Sequence, residues 1–334
     1  MTNFINEFGI ILYATLVYTP PLLYAALGSC FSEVSGVVNI GIEGMMTAGA
    51  FTGTVVAYFT GSPLIGFICA GLAGALFGAL HALATVKLGA DQTIAGTAIN
   101  MLGPGIVIMI AKVLFNSTDT IPLTAEQRMP TLFKGLFDTS TVFGRFLDNV
   151  FATYASTYFV FIAVIIVWFL FYKTKFGLRL RACGEHPLAC ETLGINVISM
   201  RFWCVCISGF LSGLGGACVT MATSNQFRPI SIVGQGFIAI AAVIFGKFRP
   251  QGALVGCLLF GFCSGLKVVL GGSSGINMHL ISMIPYVVTV IVLFCLSANP
   301  MSRQQTASRT SNPNNSSGCF SRHMQKLLRT PGAA

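Results

Sequence analysis

The chain has 334 residues, of which 54% are hydrophobic and 9% charged, with a mean hydropathy of +0.79. Several apolar runs reach the roughly 20 residues needed to cross a bilayer, so the fold class is an all-α, polytopic membrane protein. The net charge of +9 comes from basic residues in loops and in the tail. They mark cytoplasmic faces and exclude a nucleic-acid partner.

Residues 1–7, MTNFINE, lack the basic n-region of a secretory signal, and the run that follows has no clear small-residue cleavage site. The first spanning helix is predicted over 8–29, bent by Pro20 and Pro21. Further apolar segments fall near 35–58, 64–86, 94–114, 151–172, 202–223, 230–246, 252–271 and 281–298, which makes about nine transmembrane helices. On the 64–86 helix, Gly66, Ala70 and Gly74 repeat at four-residue spacing, as do Gly71, Ala75 and Ala79, and Gly209, Gly213 and Ala217 repeat it on the 202–223 helix. Small residues in such rows let membrane helices approach closely, so their role is packing.

Between the fifth and sixth helices lies the charged loop 173–201, KTKFGLRLRACGEHPLACETLGINVISMR. Within it Pro187 and Gly194 bracket a short helix, Pro187 to Leu193, with proline at the first helical position and glycine just past the end. Two turns of helix are marginal in water, so this segment needs a partner surface. Placing the loop in the cytoplasm puts thirteen basic residues inside and six elsewhere, with an external N-terminus and a cytoplasmic C-terminus. The external loop 116–150 then carries a near-neutral mixture of charges.

The sequence also echoes itself. Val38 to Phe51, VNIGIEGMMTAGAF, resembles Ile232 to Phe245, IVGQGFIAIAAVIF, when Glu43-Gly44 is laid on Gln235-Gly236. Each copy is followed by a proline and a Gly/Ala-rich helix, and in this topology the two run in opposite directions. Inverted repeats of this kind belong to transporters that handle substrate near the membrane midplane.

Polar residues at membrane depth are the pathway candidates. Glu43 has Asn39 one turn before it, Asn100 lies on a polar stripe with Thr93 and Thr97, and Gln235 and Asn277 are the second-half counterparts. An alternative role for Glu43 is to accept backbone N–H groups and so pin two broken-helix ends. Asn225, Gln226 and Arg228 are expected at an outer helix end. The four histidines lie in separate segments, with no HExxH spacing, GxSxG turn or Walker lysine, so no catalytic residue and no metal site is assigned. The eleven cysteines form no CxxC pair and read as small buried hydrophobes. The chain has no ATP-hydrolysing motif of its own.

The segments SEVSGVVNIGIEGMM (Ser32 to Met46), GADQTIAGTAINML (Gly89 to Leu102), FGLRLRACGEHPLACETLGINV (Phe176 to Val197) and GQGFIAIAAVIFGKFRPQGAL (Gly234 to Leu254) resemble bacterial nucleoside ABC-importer permeases. These sit in a wider group that also serves ribose, galactose and branched-chain amino acids. The likeness covers roughly residues 10 to 298. It implies a permease domain over 1–299, with a first half of about 8–172, a coupling loop at 173–201 and a second half of about 202–298. The tail 300–334, rich in Ser, Asn, Thr and Arg, is expected to be disordered and cytoplasmic.

The same resemblance implies that Gly184, Glu185, Pro187, Ala189 and Gly194 belong to a coupling helix that docks on an ATPase subunit, which binds the ATP and magnesium. A second permease and a substrate-binding lipoprotein or periplasmic protein complete the complex in the inner membrane. The competing reading is an ion-coupled carrier that uses Glu43 as its proton or ion site.

Overall fold

The computed structural model describes residues 2–115, 120–133, 144, 151–229, 231–273, 283, 287, 288 and 290. Contacts divide the chain into two units, 1–285 and 286–334, and the architecture below is that of the first. The expected span at 281–298 falls almost wholly outside the described residues, as do the tail, Asn277 and most of the loop 134–150.

Five long helices are apolar enough to cross a membrane among the described residues. They are α1 (Thr2–Val34, apolar from Gly9), α3 (Pro63–Ala82, continued to Lys87), α4 (Gln92–Phe115), α5 (Ala155–Lys173) and α8 (Val197–Cys218, continued to Thr223). To these the chain adds α2 (Ile42–Thr60), α9 (Gln235–Phe245) and α10 (Pro250–Ser273). The charged loop forms α6 (Lys175–Glu185) and α7 (Pro187–Thr192). One small antiparallel sheet, β1 (Ile121–Pro122) with β2 (Gln226–Phe227), interrupts the otherwise helical chain and pairs Ile121 with Phe227. Gln226 thus lies in a strand, beside Asn225 at positive φ, and not at a helix end as expected.

The core forms around α1 and α8, where 67% and 72% of the apolar window is buried, against 22% for α4 at the perimeter. Helices of similar hydropathy are sorted by their small residues, because in lipid only close approach distinguishes one apolar neighbour from another. On α3, a side chain at Gly74 would strike the backbone of Gly209 and Gly213, and one at Gly78 would strike Val205 O. Gly215 lies equally close to Pro21 O on α1, and Gly28 to Ser208 O on α8. Aromatic edges fill the wider gaps, with Phe31 on Phe171 at 5.0 Å and Tyr24 on Phe67 at 5.9 Å between ring centroids.

α1 runs on to Val34, beyond the predicted end, and passes through both prolines. Pro20 has no N–H for the carbonyl of Leu16, and Thr157 of α5 donates its hydroxyl to that oxygen at 3.4 Å. α3 and α8 both close in a widened turn, with Leu88 N–H donating to Leu83 O and Ser224 N–H to Val219 O.

Two predicted spans are broken. The 35–58 segment is not one helix: residues 35–41 are irregular, and α2 begins at Ile42. Gly36 sits at φ +86°, a conformation that ends α1, and the chain re-enters a helix only past Gly41. The 230–246 segment likewise shortens to the 11 residues of α9, after Gly234 at φ +76°. The echo detected in sequence therefore corresponds to two helices, of 19 and 11 residues, each preceded by irregular backbone.

Candidate functional site

The N-termini of α2 and α9 meet. Glu43, in the first turn of α2, accepts the Gly234 N–H on Oε1 at 3.0 Å. Gly236, in the first turn of α9, packs against the Glu43 backbone so tightly that a side chain there would lie 2.8 Å from its nitrogen. Each helix start carries unpaired N–H groups and a partial positive charge, and a carboxylate between them answers both. The second oxygen, Oε2, is buried with no protein partner.

The irregular segment 35–41 would be prohibitively costly inside a membrane unless its backbone groups were bonded within the protein. Four side chains from three helices, α3, α4 and α8, bond them. Gln92 Oε1 accepts the Val38 N–H at 2.8 Å. Asn100 Nδ2 donates to Ile40 O at 2.9 Å while its Oδ1 accepts the Gly44 N–H at 2.8 Å. His81 Nε2 lies 3.5 Å from Val38 O. Arg201 Nε donates to Ser35 O at 3.0 Å.

The four predicted pathway residues therefore gather around the start of α2 but divide in role. Asn39 is fully buried and donates to Ser208 Oγ at 3.0 Å, turned toward α8. Asn100 is a brace between α4 and the broken segment. Glu43 faces the junction itself, whereas Gln235, the first residue of α9, lines a cavity of about 50 Å³ with Tyr18, Thr223 and Ser264. Thr93 and Thr97 stay exposed on α4 and do not join Asn100 in a common contact.

At the loop end, α6 folds back across the end of α5, because Gly177 sits directly on the carbonyls of Leu170 and Phe171 and Thr174 accepts the Gly177 N–H. Gly184 then abuts Val34 O at the end of α1. α7 spans six residues, one shorter than predicted, with Leu193 as its cap and Gly194 at φ +78°. Its Cys190 is buried against Cys183 and Val197, while Leu188, Ala189, Thr192 and Leu193 face outward. Glu185 is exposed at the end of α6. Of the five predicted coupling residues, Gly184 is held by packing, Pro187 and Gly194 fix the ends of α7, and Glu185 and Ala189 are presented to the surface.

Arg201 is the residue that sequence reasoning missed. Its Nε holds Ser35 O and its Nη2 holds Cys183 O at 3.3 Å, so one guanidinium ties α8 to both the broken segment and α6. A basic residue closing the charged loop, one position before the predicted 202–223 span, looked like one more positive charge facing the cytoplasm. Among the described residues no group of three His, Cys, Asp or Glu side chains could hold a metal ion.

A helical membrane bundle in which two helices preceded by irregular backbone touch at their starts, with a short exposed helix in the loop between spans, fits the class of transporter permeases. The chain belongs to the family described as "Branched-chain amino acid transport system / permease component", whose profile matches residues 11–293. It is 42% identical over 302 residues to the guanosine ABC transporter permease protein NupQ of Bacillus subtilis, covering 87% of this chain and 93% of that one. It is 39% identical over 310 residues to the nucleoside ABC transporter permease protein NupC of Lactococcus lactis, with the same coverage of each. A second Bacillus subtilis protein, the guanosine ABC transporter permease protein NupP, is 26% identical over 312 residues, 87% of this chain and 83% of that one.

Proposed function

We propose that this chain is one of the two membrane permeases of an ATP-driven importer of nucleosides. The observation that carries the reading is the pair of relatives at 42% and 39% identity, both nucleoside permeases by name and both matched over 93% of their length. Two distinct guanosine permeases from one organism match this chain at unequal identity, which supports a heteromeric pair.

In this reading α7 faces the cytoplasm and docks on an ATPase subunit that holds the ATP and magnesium, and a substrate-binding lipoprotein delivers nucleoside from outside. The N-terminus is external and the C-terminus cytoplasmic. Exposed Leu188, Ala189 and Leu193 form the contact, Glu185 flanks it, and Gly194 sets the exit angle. Motion of α7 passes through α6 to the Gly184–Val34 contact and the Arg201 clamp, and so reaches the broken segment that carries Glu43. Glu43 and Gln235 are the groups available to a nucleoside, whose hydroxyls and N–H groups suit a carboxylate oxygen with no protein partner. Asn39 and Asn100 hold the segment in shape.

The test is uptake of radiolabelled guanosine, ribose and leucine into vesicles containing the permease pair, the ATPase and the binding protein. Guanosine uptake that requires ATP is expected, and Glu185→Ala and Gly194→Val should leave the complex assembled but uncouple hydrolysis from uptake. Wild-type coupling in both variants would reject the docking role of α7. Transport by the purified chain alone down a proton gradient would reject the ATP-driven reading altogether.

A further inference from the structure

The loop end of the bundle carries a groove that touches the α7 contact only at Leu193 and Gly194 and whose other walls the transport reading does not use. It has a volume of about 400 Å³ and lies between the first turns of α6 and the first turns of α8, walled by Phe176, Arg179, Asn196, Ser199, Met200 and Trp203. Its position relative to lipid follows from the elements that build it. α5 ends at Lys173, α6 turns off across that end, and α8 begins its apolar span at Val197. The groove therefore sits where two spanning helices leave the hydrocarbon.

Its walls combine apolar and polar groups, as that boundary requires. Trp203, 61% exposed, lines it together with Phe176, Ile195 and Met200, so much of the wall is apolar. Tryptophan in this setting belongs at the headgroup level. Arg179 is the one charged residue of the lining, which contains no Asp or Glu. Over residues 173–201 the charge is also one-signed: Lys173, Lys175, Arg179, Arg181 and Arg201 face only Glu185 and Glu191, a balance of five to two. Arg201 and Arg181 are already engaged, the first by Ser35 O and Cys183 O, the second by Gly177 O and the Tyr172 ring. Arg179 in the lining is exposed, as are Lys173 and Lys175 where α5 passes into α6.

We infer that this groove binds the headgroup of an anionic phospholipid, with the phosphate diester on Arg179 and the hydroxyl and amide of Ser199 and Asn196, and an acyl chain along Trp203. Charge complementarity and the apolar wall select a lipid, because a free phosphate ion gains nothing from Trp203 or Phe176. Bound there, the lipid joins α6 to α8 next to the hinge at Gly194 and so stiffens the support of α7. This role for the lipid rests on the transport reading, whereas lipid binding itself does not.

The experiment is native mass spectrometry of the full-length chain, purified in mild detergent and titrated with phosphatidylglycerol, phosphatidylcholine or inorganic phosphate. Phosphatidylglycerol is expected to be retained in preference to phosphatidylcholine, with no retained phosphate. Arg179→Gln should weaken phosphatidylglycerol retention about fivefold, the effect of one basic residue at a membrane surface. Trp203→Ala should weaken both lipids, and Lys112→Gln, at the far end of α4, should change neither. Size-exclusion profiles matching wild type keep a folding defect from mimicking the result. Unchanged retention in both Arg179→Gln and Trp203→Ala overturns the inference. So does a variant that sheds the ATPase from the assembled complex while holding lipid as wild type does, since the groove would then be a subunit contact.

Discussion

Adding a single methyl group at Gly74 should separate α3 from α8. A Cβ built there would lie 2.7 Å from Gly213 Cα and 2.8 Å from Gly213 N, and closer still to Gly209 O. Carbon atoms rest comfortably at about 3.5–4.0 Å, so the helices must part by about 0.8 Å. A gap of that size forfeits about a quarter to a half of each contact along the interface, and overpacking in a well-fitted core costs about 1–3 kcal/mol. Gly105 on α4 supplies the control, because a Cβ there meets nothing within 4 Å. Relief of the glycine penalty should make Gly105→Ala neutral or stabilising by up to about 1 kcal/mol. The same Gly→Ala change thus has opposite signs on two helices of similar composition. Apparent Tm of the purified chain in detergent, read by the size-exclusion peak remaining after heating, measures it. Adding Gly213→Ala to Gly74→Ala should cost less than its effect alone, since the helices have already parted. Equal Tm for Gly74→Ala and Gly105→Ala would refute the claim that backbone approach holds this pair together.

Three other outcomes test the polar framework. Arg201→Met leaves Ser35 O and Cys183 O without their donor and should cost about 2–4 kcal/mol, seen as faster hydrogen exchange confined to residues 35–41 and 180–190. Glu43→Gln keeps an oxygen for the Gly234 N–H and should leave assembly near wild type while uptake falls, whereas Glu43→Ala should also lower Tm by about 1–3 kcal/mol equivalent; normal uptake by Glu43→Gln would remove Glu43 from the pathway. Burial, with Cys190 beside it, pushes the Cys183 thiol up to about 11. At pH 7.5 only about 1 in 3,000 of these thiols is a thiolate, so alkylation of Cys183 should be negligible there and rise about tenfold per pH unit toward pH 11. Labelling at neutral pH as fast as at a surface cysteine would contradict the burial.

The rough placement of the long apolar helices among the described residues, the short α7 between Pro187 and Gly194, and the paired repeats around Glu43 and Gln235 were all legible in the sequence. They depend on composition, on proline and glycine at fixed offsets, and on local similarity, none of which needs a partner in space. What the chain order could not reveal is that residues 35–41 are irregular, because an apolar stretch such as SGVVNIG reads the same whether it is helical or extended. The difference lies in Gln92, Asn100 and Arg201, which stand far away in sequence and supply the hydrogen bonds that let the backbone leave the helix inside a membrane. The polar stripe on α4 looked like a pathway for the same reason, and only the fold distinguishes Asn100, spent on the backbone of residues 40 and 44, from Glu43, which keeps one oxygen without a protein partner. Sequence states which groups need satisfying; three-dimensional proximity decides which of them satisfy one another and which remain available to a solute.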